Sequence, residues 1–112
     1  RDFTYIDDIV SGVVAALDTP PFKADGKPPV KLYNIGENSS EPLMRVIGLI
    51  EAGLDKKANI NFEPMQPGDV RETFADIDLI RDELGYSPKT SIDIGIPKFV
   101  EWFKAYGTIY NV

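Results

Sequence analysis

Apolar residues recur along this chain at two periods, and the switches between them mark out the elements. Ile6, Ile9, Val10, Val13, Val14 and Leu17 fall at i, i+3, i+4, i+7, i+8 and i+11, the spacing of one helix face. Asp7 and Asp8 stand in the first turn of that helix, where carboxylates complement the positive dipole end. Ahead of it, Arg1, Phe3 and Tyr5 alternate with Asp2 and Thr4, which predicts a short strand leading into the helix. Thr19-Pro20-Pro21 to Pro28-Pro29, with Gly26 between them, predicts a loop, and Val30 to Ile35 a second strand. Leu43, Val46, Ile47, Ile50 and Leu54 form another helical stripe, with Ser39 or Ser40 as its cap and Pro42 in its first turn.

Further along, Ile60, Phe62 and Pro64 alternate as in a strand, Pro67-Gly68 marks a turn, and Glu72 to Ala75 reads as extended. Asp76 is the expected N-cap of a short helix through Leu84, closed by Gly85. Thr90 and Asp93 have capping-box spacing for a last helix. Its inner stripe is Ile92, Ile96, Phe99, Val100 and Phe103, with Pro97 expected to kink or shorten it. The helical spacing of Trp102, Phe103 and Tyr106 points to core packing rather than to a base-stacking surface. The expectation is a mixed α/β unit, a small sheet of short strands covered by about four helices, in one domain over 1–112.

At 112 residues such a chain buries roughly two-thirds of its unfolded surface, enough for one core. Apolar content of 43% against 27% charged residues argues against disorder. No apolar run reaches the roughly 18 residues of a membrane span. Asp2, Asp7 and Asp8 break any signal-peptide core, and the start at Arg1 implies a natural protein extending upstream. With no cysteine, disulfide and thiolate chemistry are excluded, which fits a reducing, cytoplasmic location. With no histidine, imidazole acid–base catalysis and His-based metal sites are excluded too. The acidic neighbours Asp7-Asp8, Asp76/Asp78 and Asp82-Glu83 lack the glycine-turned spacing of a cation loop. They read as helix-capping and solvated groups, so no metal is expected. A net charge of −6 offers nothing to generic nucleic-acid binding. The nine glycines include no G-x-G, the nearest pair being Gly48 and Gly53, so a dinucleotide fingerprint is absent.

Several segments nevertheless carry a family likeness. Arg1 to Val10 and Pro67 to Asp76, together with Tyr33-Asn34-Ile35-Gly36, Glu83 to Pro88 and Phe99 to Phe103, resemble the C-terminal, nucleotide-sugar-binding region of the extended short-chain dehydrogenase/reductase family. The run Met65-Gln66-Pro67-Gly68-Asp69-Val70 is similar to that of its UDP-glucuronate 4-epimerases. The resemblance implies a parent enzyme that uses NAD, acts on a UDP-sugar and forms a homodimer. The Rossmann domain that binds NAD is missing here, as is the family's catalytic Tyr-x-x-x-Lys. The five tyrosines are followed at that offset by Ile9, Glu37, Thr90 and Tyr110, or by nothing. The chain alone is therefore expected to be inactive, to bind no NAD, and to contact neither nucleic acid nor membrane.

The resemblance also nominates substrate-binding residues. Arg1 matches the family's diphosphate-binding arginine, whose planar donors suit a phosphate and stay charged. Asp69 matches a ribose-hydroxyl acceptor, although Pro-Gly-Asp is turn chemistry in any protein. Gln66 stands where some members carry a phosphate-binding Arg, and Arg71 is the neighbour able to replace that charge. Asn34 belongs to the strand-to-loop element near the family's substrate cleft, where its alternative is to stabilise a turn. A dehydratase or decarboxylase of the same family remains open, as does a non-catalytic nucleotide-sugar-binding or purely structural module.

Overall fold

A computed structural model describes residues 1–22, 26 and 28–110, without the side chains of 108–110. Four helices appear where the 3.6-residue period places them: α1 (Ile6–Asp18), α2 (Leu43–Leu54), α3 (Asp78–Leu84) and α4 (Ile92–Tyr110). Their ends are closed mostly by backbone rather than by the expected side chains. The Tyr5 carbonyl accepts from the N–H of Asp8 and of Ile9, both at 3.1 Å, to start α1. Pro42 occupies the N-cap position of α2, its carbonyl accepting from Arg45 at 3.0 Å. Ser40 lies outside that helix, bridged to Asp2. Asp76 acts one residue earlier than expected: Ile77 is the N-cap residue of α3, and the Asp76 carboxylate accepts from the Asp78 N–H at 3.0 Å.

Gly85 closes α3 as its sequence position predicts, with φ of 71°, a left-handed conformation that costs glycine little. Its N–H donates to the Arg81 carbonyl at 2.9 Å. The start of α4 is held by the Ser91 carbonyl, which accepts from Ile94 and Gly95. Asp93 turns instead to Arg45 on α2. α4 continues through Pro97, so the proline does not shorten it.

The expected sheet does not form. Among the described residues there is no strand, only an isolated antiparallel bridge between Asp2 and Ser40, so the architecture is four helices joined by extended segments rather than mixed α/β. A strand needs a partner ladder to satisfy its backbone. Here a side chain takes that place, the Asp2 carboxylate accepting from the N–H groups of Glu37, Asn38 and Ala75. Val30 to Ile35 keeps the alternation of a strand from Tyr33 onward, with Tyr33 and Ile35 partly buried and Asn34 exposed. Ile60 to Pro64 is exposed throughout.

Burial gathers at two centres. Ile77, Ile80 and Tyr86 are buried, with Tyr33, Ile35, Ala75 and Leu84 packed against them where α3 meets α1. Val46, Ile92 and Val100 are buried in the α2 and α4 region, where a Cβ on Gly53 would lie 3.1 Å from Val100. The radius of gyration is 18.1 Å, against about 13 Å for a compact domain of this size.

Burial on α1 is therefore the reverse of the periodicity reading. Its buried residues are Asp8 and Gly12, because the bare Gly12 lets Ile35 and Tyr86 approach to about van der Waals contact. Ile6, Val10, Val13, Val14 and Leu17 remain exposed. On α4, Phe99, Trp102, Phe103 and Tyr106 are likewise exposed rather than core, with Trp102 stacked on Tyr106 at 5.1 Å between ring centroids.

Candidate functional site

Arg1 and Asp69 lie 68 positions apart in the chain and meet in space. The Arg1 guanidinium donates through Nη2 to Asp69 Oδ1 and through Nη1 to the Val70 carbonyl, each at 2.6 Å. The turn presenting Asp69 is closed by its N–H on the Gln66 carbonyl at 3.1 Å. Gly68 supplies the left-handed φ of 86° that this turn requires. Asp69 Oδ1 also accepts from the Val70 N–H at 2.8 Å, so one oxygen serves both the turn and the arginine. The pair is accessible, with 39% and 50% of the two side chains exposed, and an anionic ligand can reach both groups.

The remaining nominated residues are arranged differently. Gln66 is exposed and donates to the Pro64 carbonyl at 3.4 Å, within its own turn. Arg71 is exposed. Asn34 faces another place: its amide donates to the Asp76 carbonyl at 3.2 Å, and it lines a shallow acidic hollow with Leu32, Asp76, Asp78, Leu79 and Asp82. Geometry therefore brings Arg1 and Asp69 together, while Asn34 ties its own segment to the residue before the α3 N-cap.

Around Glu37 lies a group of carboxylates that sequence reasoning took for solvated or overlooked. Asp8 is 6% exposed and accepts from the N–H of Lys89 at 3.1 Å and of Thr90 at 2.9 Å. It thereby holds the lead-in to α4 against α1. Asp2 gathers three N–H groups, as described above. Glu37 has a buried Oε2 without a hydrogen-bond partner. Burial raises its pKa above the ordinary 4.5, and Asp8, Asp2 and Glu41 add to the effect. The Tyr86 hydroxyl, buried beside the same charges, is pushed up to about 12 and donates to the Gly36 carbonyl at 3.0 Å. The available sequence signal was Gly36 at the end of a strand-like run, a mark of close backbone approach. A Cβ there would come within 2.4 Å of the Ala75 Cβ.

The Glu37 environment has a checkable consequence. A carboxyl whose folded pKa is raised contributes stability that is full below the unfolded value and is lost as pH rises through the folded value. Glu37→Gln is therefore expected to raise the melting temperature at pH 7 and to lose that advantage near pH 4. Calorimetric melts of both proteins across this range test it; equal melting temperatures at pH 7 would count against a protonation cost at Glu37.

An apolar cleft of about 590 Å³ opens between the first residues and α4, lined by Phe3, Tyr5, Ile92, Ile96, Phe99 and Trp102 among others. Lys98 Nζ sits 5.2 Å from the Tyr5 ring centroid at its edge. Among the described residues no three carboxylates converge as metal ligands, and no helix is long and apolar enough to cross a membrane.

No protein-family model matches the chain, but individual relatives do. It is 42% identical over 117 residues to protein CapI of Staphylococcus aureus, covering 95% of this chain and 35% of CapI. It is 42% identical to UDP-glucuronate 4-epimerase 4 of Arabidopsis thaliana, covering 95% of this chain and 26% of that protein. The solved UDP-glucuronic acid 4-epimerase of Bacillus cereus, in complex with UDP-glucuronic acid and NAD, superposes with a TM-score of 0.76 at 34% identity. That match covers 95% of this chain and 32% of the epimerase. The likeness is thus to one part of proteins that include UDP-glucuronate 4-epimerases. The chain spans roughly a third or less of the length of the curated relatives cited.

Proposed function

We propose that this chain is the nucleotide-sugar-binding portion of a longer NAD-dependent epimerase that interconverts UDP-glucuronate and its 4-epimer. The observation that carries the reading is the meeting of Arg1 with Asp69 and Val70, in a chain similar to epimerases solved with UDP-glucuronic acid and NAD. Arg1 offers the diphosphate a permanently charged, planar set of donors, and Asp69 offers the ribose hydroxyls an acceptor. Gln66, in the same turn, and Arg71, two residues beyond Asp69, would stand at the edge of that ligand. Holding the diphosphate rigidly converts binding energy into orientation of the sugar ring.

The cofactor does not fit this chain. Pyrophosphate needs closely spaced glycines before a helix N-terminus, and no G-x-G occurs anywhere in the sequence. NAD, which accepts and returns hydride when bound, belongs in this reading to the remainder of the longer protein, together with the catalytic Tyr and Lys. Calorimetry of the chain with UDP and with NAD tests the assignment. UDP is expected to bind in the millimolar range, about −4 kcal/mol, because only one wall of its cleft is present. NAD is expected to give no heat of binding, and UDP-glucuronate no turnover. A chain that takes up NAD, or one indifferent to UDP at tens of millimolar, would overturn the reading, the second result favouring a purely structural role.

A further inference from the structure

The geometry points to Asp2 as a positioning residue, one that fixes Arg1 relative to Asp69 and so sets how this face receives a diphosphate. The inference rests on the nucleotide-sugar reading above. Asp2 Oδ1 accepts from the Glu37 N–H at 2.9 Å and from the Thr4 hydroxyl at 3.2 Å. Its Oδ2 accepts from Asn38 at 3.2 Å and from Ala75 at 2.9 Å. One carboxylate thus ties the first residues to two segments distant in sequence.

Arg1 is held on its main chain as well. Its carbonyl accepts from the Glu41 N–H at 2.9 Å, and its nitrogen donates to the Glu41 carbonyl at 3.0 Å. Consecutive residues therefore grip the segment from 70 to 75 at both ends, Arg1 at Val70 and Asp2 at Ala75. The four residues between, Arg71 to Phe74, are exposed. Five extended steps span up to about 17 Å, so release of the Ala75 end gives Asp69 room to leave Arg1.

The junction also has no slack. A Cβ on Gly36 would lie 2.4 Å from the Ala75 Cβ and 2.8 Å from Asp2 Oδ2, so three segments already touch at this point. Only an acceptor-only group satisfies this arrangement, because both oxygens face N–H donors. An Asn at this position would turn its own donors toward at least one of them.

If Asp2 acts through Arg1, its loss and the loss of Arg1 are not independent. UDP affinity would be measured by NMR titration for the wild-type chain, Asp2→Asn, Arg1→Ala and the double variant. Each single variant is expected to weaken UDP about tenfold, and the double variant to bind no worse than Arg1→Ala. A purely structural Asp2 gives losses that multiply instead. Multiplied losses, or an Asp2→Asn variant with unchanged affinity, would overturn the positioning role while leaving the nucleotide-sugar reading intact. A wild-type chain without UDP affinity would sink that reading and this inference together. Should Asp2→Asn lose its dispersed spectrum, Ala75→Pro carries the same cycle, since it deletes the one N–H by which Asp2 holds the 70–75 segment.

Discussion

Ile80→Ala is expected to cost the chain about 2–5 kcal/mol of stability, the range for emptying a buried branched aliphatic site. Among the described residues Ile80 is the one large side chain with no exposure at all, and it packs with Ile77 and Tyr86 where α3 meets α1. The short α3, at seven residues, is too brief to persist on its own propensity. Its order depends on this packing. Few residues share the load, since the buried apolar set among the described residues is Val46, Ile77, Ile80, Tyr86, Ile92 and Val100. Against a typical total of about 5–15 kcal/mol, such a loss removes a large share of the fold's margin. Urea unfolding should show a lower midpoint at unchanged slope, while Leu79→Ala, at a 45% exposed neighbour, should change little. A loss below about 1 kcal/mol at Ile80 would mean that the site collapses around the smaller side chain.

The helices were legible in the sequence because amphipathic periodicity is a local property. α1, α2 and α4 start within a residue or so of their apolar stripes, and Gly85 closes α3 where a left-handed residue was expected. What the pattern does not encode is the cover for a stripe. The apolar residues of α1 read as buried, yet the structure packs its Gly12 side inward and leaves Val10, Val13 and Leu17 exposed. The strands failed for a related reason: alternation shows that a segment is extended, while a sheet also requires a neighbour in register. At Asp2 a carboxylate intercepts the N–H groups such a neighbour would have taken, the competition that short polar side chains offer to backbone pairing.

The site was legible to a different degree. Arg1 and Asp69 were nominated by resemblance and not by spacing, since nothing local in the chain relates positions 68 apart. The hub roles of Asp2, Asp8 and Glu37 were missed because a lone carboxylate in a sequence reads as solvated or as a helix cap. Only its burial and the N–H groups converging on it separate a structural hub from a surface charge. Asp2 and Thr4 share one face of the predicted first strand, which was the faint signal that this face is polar for a purpose.

In a longer protein carrying the rest of the relatives' length, Asp69→Ala is expected to weaken UDP-sugar binding by roughly 1.5–3 kcal/mol, the loss of a hydrogen bond to a charged acceptor. That is about a 10- to 150-fold change. A competing effect must be weighed, because removing Asp69 also frees the Arg1 guanidinium from its partner and strengthens its pull on phosphate. With 39% and 50% of the two side chains exposed, the pair contributes at most about 1 kcal/mol. The ribose contact outweighs the freed arginine, and the sign of the change is a loss. Folding should be nearly unaffected for the same reason, and NAD affinity should not change if, as proposed, the cofactor belongs to the remainder of the longer protein. Asp69→Asn separates the two duties of the residue: its amide oxygen can still accept from the Val70 N–H and keep the turn, but it carries no charge. Calorimetry of UDP and NAD with all three proteins measures each contribution. Full recovery in Asp69→Asn would show that turn geometry suffices and the charge is dispensable. Equal UDP affinity in Asp69→Ala and the wild type would reduce Pro67-Gly68-Asp69 to a turn and leave Arg1 alone to hold the nucleotide.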